Sequence, residues 1–62
     1  MTKRVISDQE KLGCALRELR FRRRVYANRV AKGRMHKAEA DREIEVMEAI
    51  AEDYRAKSEL PL

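Results

Sequence analysis

Sixty-two residues make one domain at most, and a chain this short keeps much of its unfolded surface exposed after folding, so its own core is a marginal source of stability. Cys14 is the only cysteine, which excludes an intrachain disulfide, and a structural metal would need Cys14, His36 and carboxylates that have no ligand spacing. No uncharged run exceeds a few residues in a chain that is 42% charged, so neither a transmembrane helix nor a secretory leader is expected, and a cytoplasmic protein is.

Only two glycines and one proline interrupt the chain, and its apolar residues recur at regular spacings, which predicts order despite the high charge. Ser7-Asp8-Gln9-Glu10 has the form of a capping box, in which the serine oxygen accepts an orphan amide hydrogen bond and the glutamate reaches back to the cap. A first helix over about 7–32 follows. Leu12, Leu16, Leu19, Tyr26 and Val30 lie on one stripe of it with Ala15 alongside. Arg23 fills the vacant step, its aliphatic stem over the seam and its guanidinium leaning toward a carboxylate of another helix. Gly13, in the first turns, costs ~1 kcal/mol against alanine, and the expected reason for it is a closely packed neighbour.

Gly33 is the natural stop, because glycine adopts the left-handed conformation of a helix C-cap at little cost, and Arg29 and Lys32 sit where the helix dipole favours cations. A turn over 33–36 returns the chain antiparallel into a second helix over about 37–59. Glu39, Asp41 and Glu43 stand in its early turns, and Pro61 ends it at or before Leu60. Its seam is Ala40, Ile44, Met47, Ala51 and Tyr54.

The expected fold is therefore all-α: a single-domain antiparallel two-helix hairpin with coiled-coil-like stripes, small Ala40 and Ala51 facing larger Leu19 and Tyr26. Apolar residues remain in surplus. Cys14, Phe21 and Val25 lie away from the main seam of the first helix, and Val46 and Ile50 widen that of the second. A homodimer forming a four-helix bundle is the simplest way to cover them, against the plain alternative that Phe21 and Val25 are singly exposed.

Charge is divided along the chain. Residues 1–37 hold twelve basic and three acidic residues, and residues 38–62 hold three basic and eight acidic, so charges of +9 and −5 make up the net +4. Folding the halves together neutralises much of this, and what is left over is free to meet an anionic partner. Arg17, Arg20 and Arg24 line one side of the first helix, Arg22 and Arg29 another, and Arg23 faces the seam. This spread does not make one groove-reading stripe, which argues against reading of base sequence. Three uses of the cluster stay open: ion pairs within and between subunits, an acidic protein partner, and non-specific phosphate contacts.

No catalytic constellation is visible, and neither an enzymatic activity nor a cofactor or small-molecule ligand is expected. His36 in the turn and Cys14 near the other end of the hairpin are poorly placed to form a nucleophilic pair. Asp41 and Glu45 are helix neighbours that read as a solvated face rather than an acid/base pair, and Gly13 and Gly33 are too isolated to make a phosphate loop.

Leu19-Arg20-Phe21-Arg22-Arg23-Arg24-Val25-Tyr26, then Val30-Ala31-Lys32-Gly33-Arg34-Met35, Ala40-Asp41-Arg42-Glu43-Ile44, Met47-Glu48-Ala49-Ile50 and Asp53-Tyr54, give a pattern spanning about residues 12 to 55. In it the chain resembles a group of very short proteins encoded in bacteriophages and prophages. Relatives often have proline soon after the tyrosine where this chain has Ala27-Asn28, which suits a continuous first helix, and Ser or Thr as the second cap where it has His36. The group lends no activity, cofactor or site residue. The resemblance implies a viral accessory protein in the cytoplasm of a bacterial host, and such products commonly act by binding a host protein.

The leading expectation is a non-enzymatic interaction protein that docks on an acidic host or phage protein through Arg17, Arg20, Phe21, Arg24 and Val25, an aromatic beside guanidinium groups being a common interface anchor. The alternative is a nucleic-acid binder using Arg20, Arg22, Arg24, Arg29, Lys32 and Arg34 on phosphates. A structural part of a larger phage assembly is a third reading.

Overall fold

A computed structural model of the chain describes residues 5–59. Two long helices account for nearly all of them, α1 over Asp8–Ala31 and α2 over Lys37–Glu59. They pack extensively along their length as an all-helical hairpin, with no strand among the described residues.

Ser7 caps α1 in extended backbone geometry (φ −75°, ψ 159°), its hydroxyl accepting the Glu10 amide at 3.1 Å. The Glu10 carboxylate lies 3.4 Å from that same hydroxyl, where the capping-box expectation took it to the cap's backbone. At the other end Lys32 is the C-cap and Gly33 takes φ 72°. The Gly33 amide donates to the Val30 carbonyl at 3.0 Å and the Arg34 amide to the Arg29 carbonyl at 2.8 Å, the paired bonds of a Schellman motif. The connection then reaches His36, whose carbonyl accepts the Ala40 amide at 3.0 Å and starts α2. The stop expected from Pro61 lies outside the described residues, and Glu59, the last of them, still belongs to α2.

The seam of α2 follows its apolar spacing: Ala40, Met47 and Ala51 are buried, and Ile44 and Tyr54 half-buried. On α1 the seam is displaced. Ala15 and Leu19 are buried, Leu12, Tyr26 and Val30 are half-buried, and Leu16, expected in the seam, is 38% exposed. The cause is Ala15: as the smaller side chain it lets the helices approach, meets Met47 and Ala51, and turns position 16 outward. Ala15, Leu19, Met47 and Ala51 form the central cluster, with Leu12 and Ile44 against it.

That cluster is thin. None of its side chains is completely enclosed, so a two-helix layer supplies one seam and no second wall. Gly13 is also explained differently from the sequence expectation. A β-carbon there would meet the Arg17 guanidinium at 3.5 Å, an ordinary contact, and nothing from α2. The residue lies under its own helix's arginine.

Candidate functional site

Arginines from one short run are put to different uses because a helix turns 100° per residue. Arg22 lies toward α2 and is the most engaged. Its Nε donates to Glu18 Oε1 at 3.0 Å, and its Nη1 donates to the Glu43 carbonyl at 2.9 Å and lies 3.5 Å from Glu43 Oε2. Its side chain is only 22% exposed. Arg23, on the other edge of the seam, donates to Glu48 Oε2 at 2.8 Å and so reaches the carboxylate of the opposite helix that its position suggested. These two residues tie α1 to α2.

Helix α2 satisfies many of its remaining charges internally. Lys37 pairs with Asp41 at 2.8 Å, and Arg55 with Glu52 at 2.6 Å and Glu59 at 3.1 Å, all at helical i,i+3 or i,i+4 spacing. The Asp41 hydrogen bond and charge hold the Lys37 ammonium above its ordinary pKa. The Arg55 hydrogen bond holds the Glu52 carboxyl below its own, and Glu52 raises Arg55 in turn. All three groups are solvent-exposed, so these pairs steady α2 locally and carry no sign of a reactive centre.

Among the described residues Arg17, Arg20 and Arg24 form no ion pair, and all three are exposed. They follow one another at spacings of three and four along the side of α1 turned away from the seam. Further along, Arg24, Asn28, Arg29, Lys32 and Arg34, with Val25, line a shallow concavity at the C-terminal end of α1. The Arg29 guanidinium lies 5.8 Å from the centroid of the Tyr26 ring, and this end of a helix carries the negative pole of its dipole. Part of the positive charge at the turn therefore answers the helix's own carbonyls.

Phe21 takes a different place from those arginines, and Val25, which lines their concavity, also continues the stripe on which Phe21 lies. Cys14, Glu18, Phe21 and Val25 succeed one another at spacings of 4, 3 and 4, and Cys14 and Glu18 line a groove against Met47, Ile50 and Tyr54 of α2. Phe21 and Val25 thus run along that groove's side of the hairpin. Phe21 is 46% exposed, bordering both the groove side and the arginine side, and Val25 is half-buried. Val46 and Ile50 stand exposed on the neighbouring edge of α2.

The residues named for an acidic partner consequently divide: Arg17, Arg20 and Arg24 share one side, Phe21 belongs to the next, and Val25 borders both, lining the concavity with Arg24. Of those named for phosphate contact, Arg24, Arg29, Lys32 and Arg34 come together, Arg20 stands apart from their concavity, and Arg22 is already held by two glutamates. The cross-helix engagement of Arg22 was the feature sequence reasoning missed, although Glu18 four residues before it was a usable signal. His36 lies in the connection and Cys14, exposed, on the distant half of α1. Among the described residues no three His, Cys, Asp or Glu side chains are grouped so as to hold a metal ion, and no helix is long and apolar enough to cross a membrane. Comparison with protein-family models, with curated proteins and with solved structures found no match to this chain.

Proposed function

We propose that this protein is a small, non-enzymatic interaction module that self-associates and uses the outer side of α1 to dock on an acidic protein. One observation carries the reading: among the described residues Arg17, Arg20 and Arg24 stand exposed and without carboxylate partners, while Arg22 and Arg23, in the same run, are spent on Glu18, Glu43 and Glu48. Guanidinium groups that fold without a partner and lie in a row offer fork-shaped donors to surface carboxylates at no cost in broken native pairs. The resemblance to phage-encoded accessory proteins supports a partner in a bacterial host. Partner capture from such cells followed by mass spectrometry tests the reading, using Arg20→Glu with Arg24→Glu. Loss of a specific acidic protein, with the helix content of the variant unchanged, is expected; an unaltered set of captured proteins overturns the reading.

Nucleic acid is the second reading, and the concavity of Arg24, Asn28, Arg29, Lys32 and Arg34 is the observation that favours it. It requires binding that falls steeply with salt and is nearly indifferent to sequence. A mobility shift at low salt on duplex and single-stranded DNA and RNA decides it, and no shift with any of them removes it.

A further inference from the structure

The hairpin has an incomplete side. Two stripes flank the seam on the side where Arg22 bridges Glu18 and Glu43. On α1 the stripe is Cys14, Glu18, Phe21, Val25, Asn28 and Lys32, and on α2 it is Glu39, Glu43, Val46, Ile50, Asp53 and Lys57. Both keep spacings of 4, 3, 4, 3 and 4. That alternation holds one row of side chains toward a neighbouring helix, and it duplicates the pattern of the seam already buried. Its middle is apolar and its ends polar. Of the apolar members Phe21 is 46% exposed, Val46 38% and Ile50 39%, with exposed Cys14 beside them and Val25 half-buried.

We infer that this side is covered by a second copy of the chain, related by a two-fold axis parallel to the helices, so that α1 of each copy stacks on α2 of the other. It rests on the self-association proposed above and assigns it a face and a symmetry.

Two arguments choose the occupant. The first is area. A folded monomer of 7.3 kDa is expected to expose about 4,200 Å², whereas the hairpin exposes 5464 Å². The difference reflects a two-helix layer without a second wall, and a standard interface draws ~800 Å² of such surface from each partner. The second is charge. Helix α1 carries seven basic and three acidic residues, a net +4, and α2 carries four basic and eight acidic, a net −4. Much of the α1 charge lies on the outer side with Arg17, Arg20 and Arg24. On the stripes themselves α1 carries Glu18 and Lys32, net zero, and α2 carries Glu39, Glu43, Asp53 and Lys57, net −2. Stacking α2 on α2 therefore opposes like charges, and stacking α2 on α1 does not.

The levels across the hairpin make this specific. Lys11 lies 5.5 Å from the Tyr54 ring centroid, Arg22 reaches Glu43 and Arg23 reaches Glu48, and the register midway between these contacts puts Cys14 about level with Asp53, Phe21 with Val46, and Asn28 with Glu39. An axis parallel to the helices preserves level. It therefore sets Phe21 against Val46 of the second copy, Glu10 against its Lys57, and Arg29 and Lys32 near its Glu39. The perpendicular axis, stacking α2 on α2, instead brings Asp53 against Glu39. Arg22 already holds both of its carboxylates, so covering it strands no bare charge.

The native cysteine reports the arrangement. Cys14 on the single-cysteine chain has no counterpart at its level, and Asp53→Cys supplies one across the stacked pair. Sedimentation is expected to give twice 7.3 kDa at high micromolar concentration, and mild oxidation of the D53C variant to give a disulfide-linked two-chain product. Asn28→Cys is the control, because it meets Cys14 only when α1 stacks on α1. Phe21→Asn with Ile50→Asn is expected to shift the mass to 7.3 kDa or to abolish the helix signal, while Arg20→Glu with Arg24→Glu leaves the pair intact. A monomeric wild type overturns both the inference and self-association. A two-chain mass with cross-linking by N28C, or by neither variant, overturns the face and symmetry alone.

Discussion

Arg22 and Arg24 are two residues apart and chemically identical, yet they belong to different parts of the molecule. Arg22 is largely covered, donates to Glu18 and to the Glu43 carbonyl, and helps to hold α1 on α2. Arg24 stands in solvent and forms no ion pair among the described residues. The seam side and the outer side of one helix thus differ in whether charge is consumed in folding or remains available afterward. An arginine-rich run has no single meaning, since its members are sorted by helical angle and by where the other helix keeps its glutamates.

The contrast breaks most directly at the seam. Leu19→Ala removes the largest buried aliphatic contact on α1 against Met47 and Ala51, and is expected to cost roughly 2–5 kcal/mol. In a chain with so thin a core, loss of the helical circular-dichroism signal at room temperature is the expected result. Gly33→Ala attacks the reversal on which the seam depends. A β-carbon finds open space there, but φ 72° is strained for an L side chain, so a fall in melting temperature equivalent to about 1–2 kcal/mol is expected.

The outer side is sharpened by a substitution of opposite sign. Gly13→Ala meets only the movable Arg17 guanidinium, and in mid-helix it should raise stability by up to ~1 kcal/mol in a denaturant titration. Had Gly13 been packed against α2, the same change would destabilise. Arg22→Gln and Arg24→Gln compare the sides within one run. The first is expected to lower stability by about 0.5–1 kcal/mol and the second to leave it unchanged in the same titration.

The smallest effect is in pH. Hydrogen bonding to Arg55 holds the folded Glu52 carboxyl below its ordinary pKa. Its stabilisation is complete above the ordinary carboxylate range and disappears as pH falls through the lowered value. Amide-exchange protection factors at the end of α2, corrected for the intrinsic rate at each pH, should fall in that acidic window in the wild type, and Glu52→Gln should show the lower protection already at neutral pH.

Much of the fold was legible in the residues. Ser7 and Gly33 marked the ends of α1, and the spacing from Ala40 to Tyr54 marked the buried stripe of α2, because caps and periodicity are local signals. Leu16 was misplaced for the opposite reason. Its spacing from Leu12 and Leu19 suited the seam, but burial was decided by how closely Ala15 let Met47 approach, which is a property of two helices together. The arginine surface was partly legible in the same way: Arg17, Arg20 and Arg24 share a side by spacing alone, whereas the occupation of Arg22 depended on where the turn set Glu43.

That turn also governs the order in which the molecule assembles. Every contact between the helices closes a loop through the Gly33 reversal, and the loop lengthens with distance from it. Arg22 to the Glu43 carbonyl spans 21 residues, Arg23 to Glu48 spans 25, and Lys11 to Tyr54 is far longer. Each doubling of a loop costs only ~0.6 kcal/mol of closure entropy, so the far contacts stay affordable once the near ones have formed. Loop closure therefore favours the contacts nearest Gly33 forming first and the far ends opening first. Hydrogen-exchange protection should fall steadily from the Arg22–Glu43 level toward Ser7 and Glu59, which makes the reversal a kinetic origin as well as a geometric one.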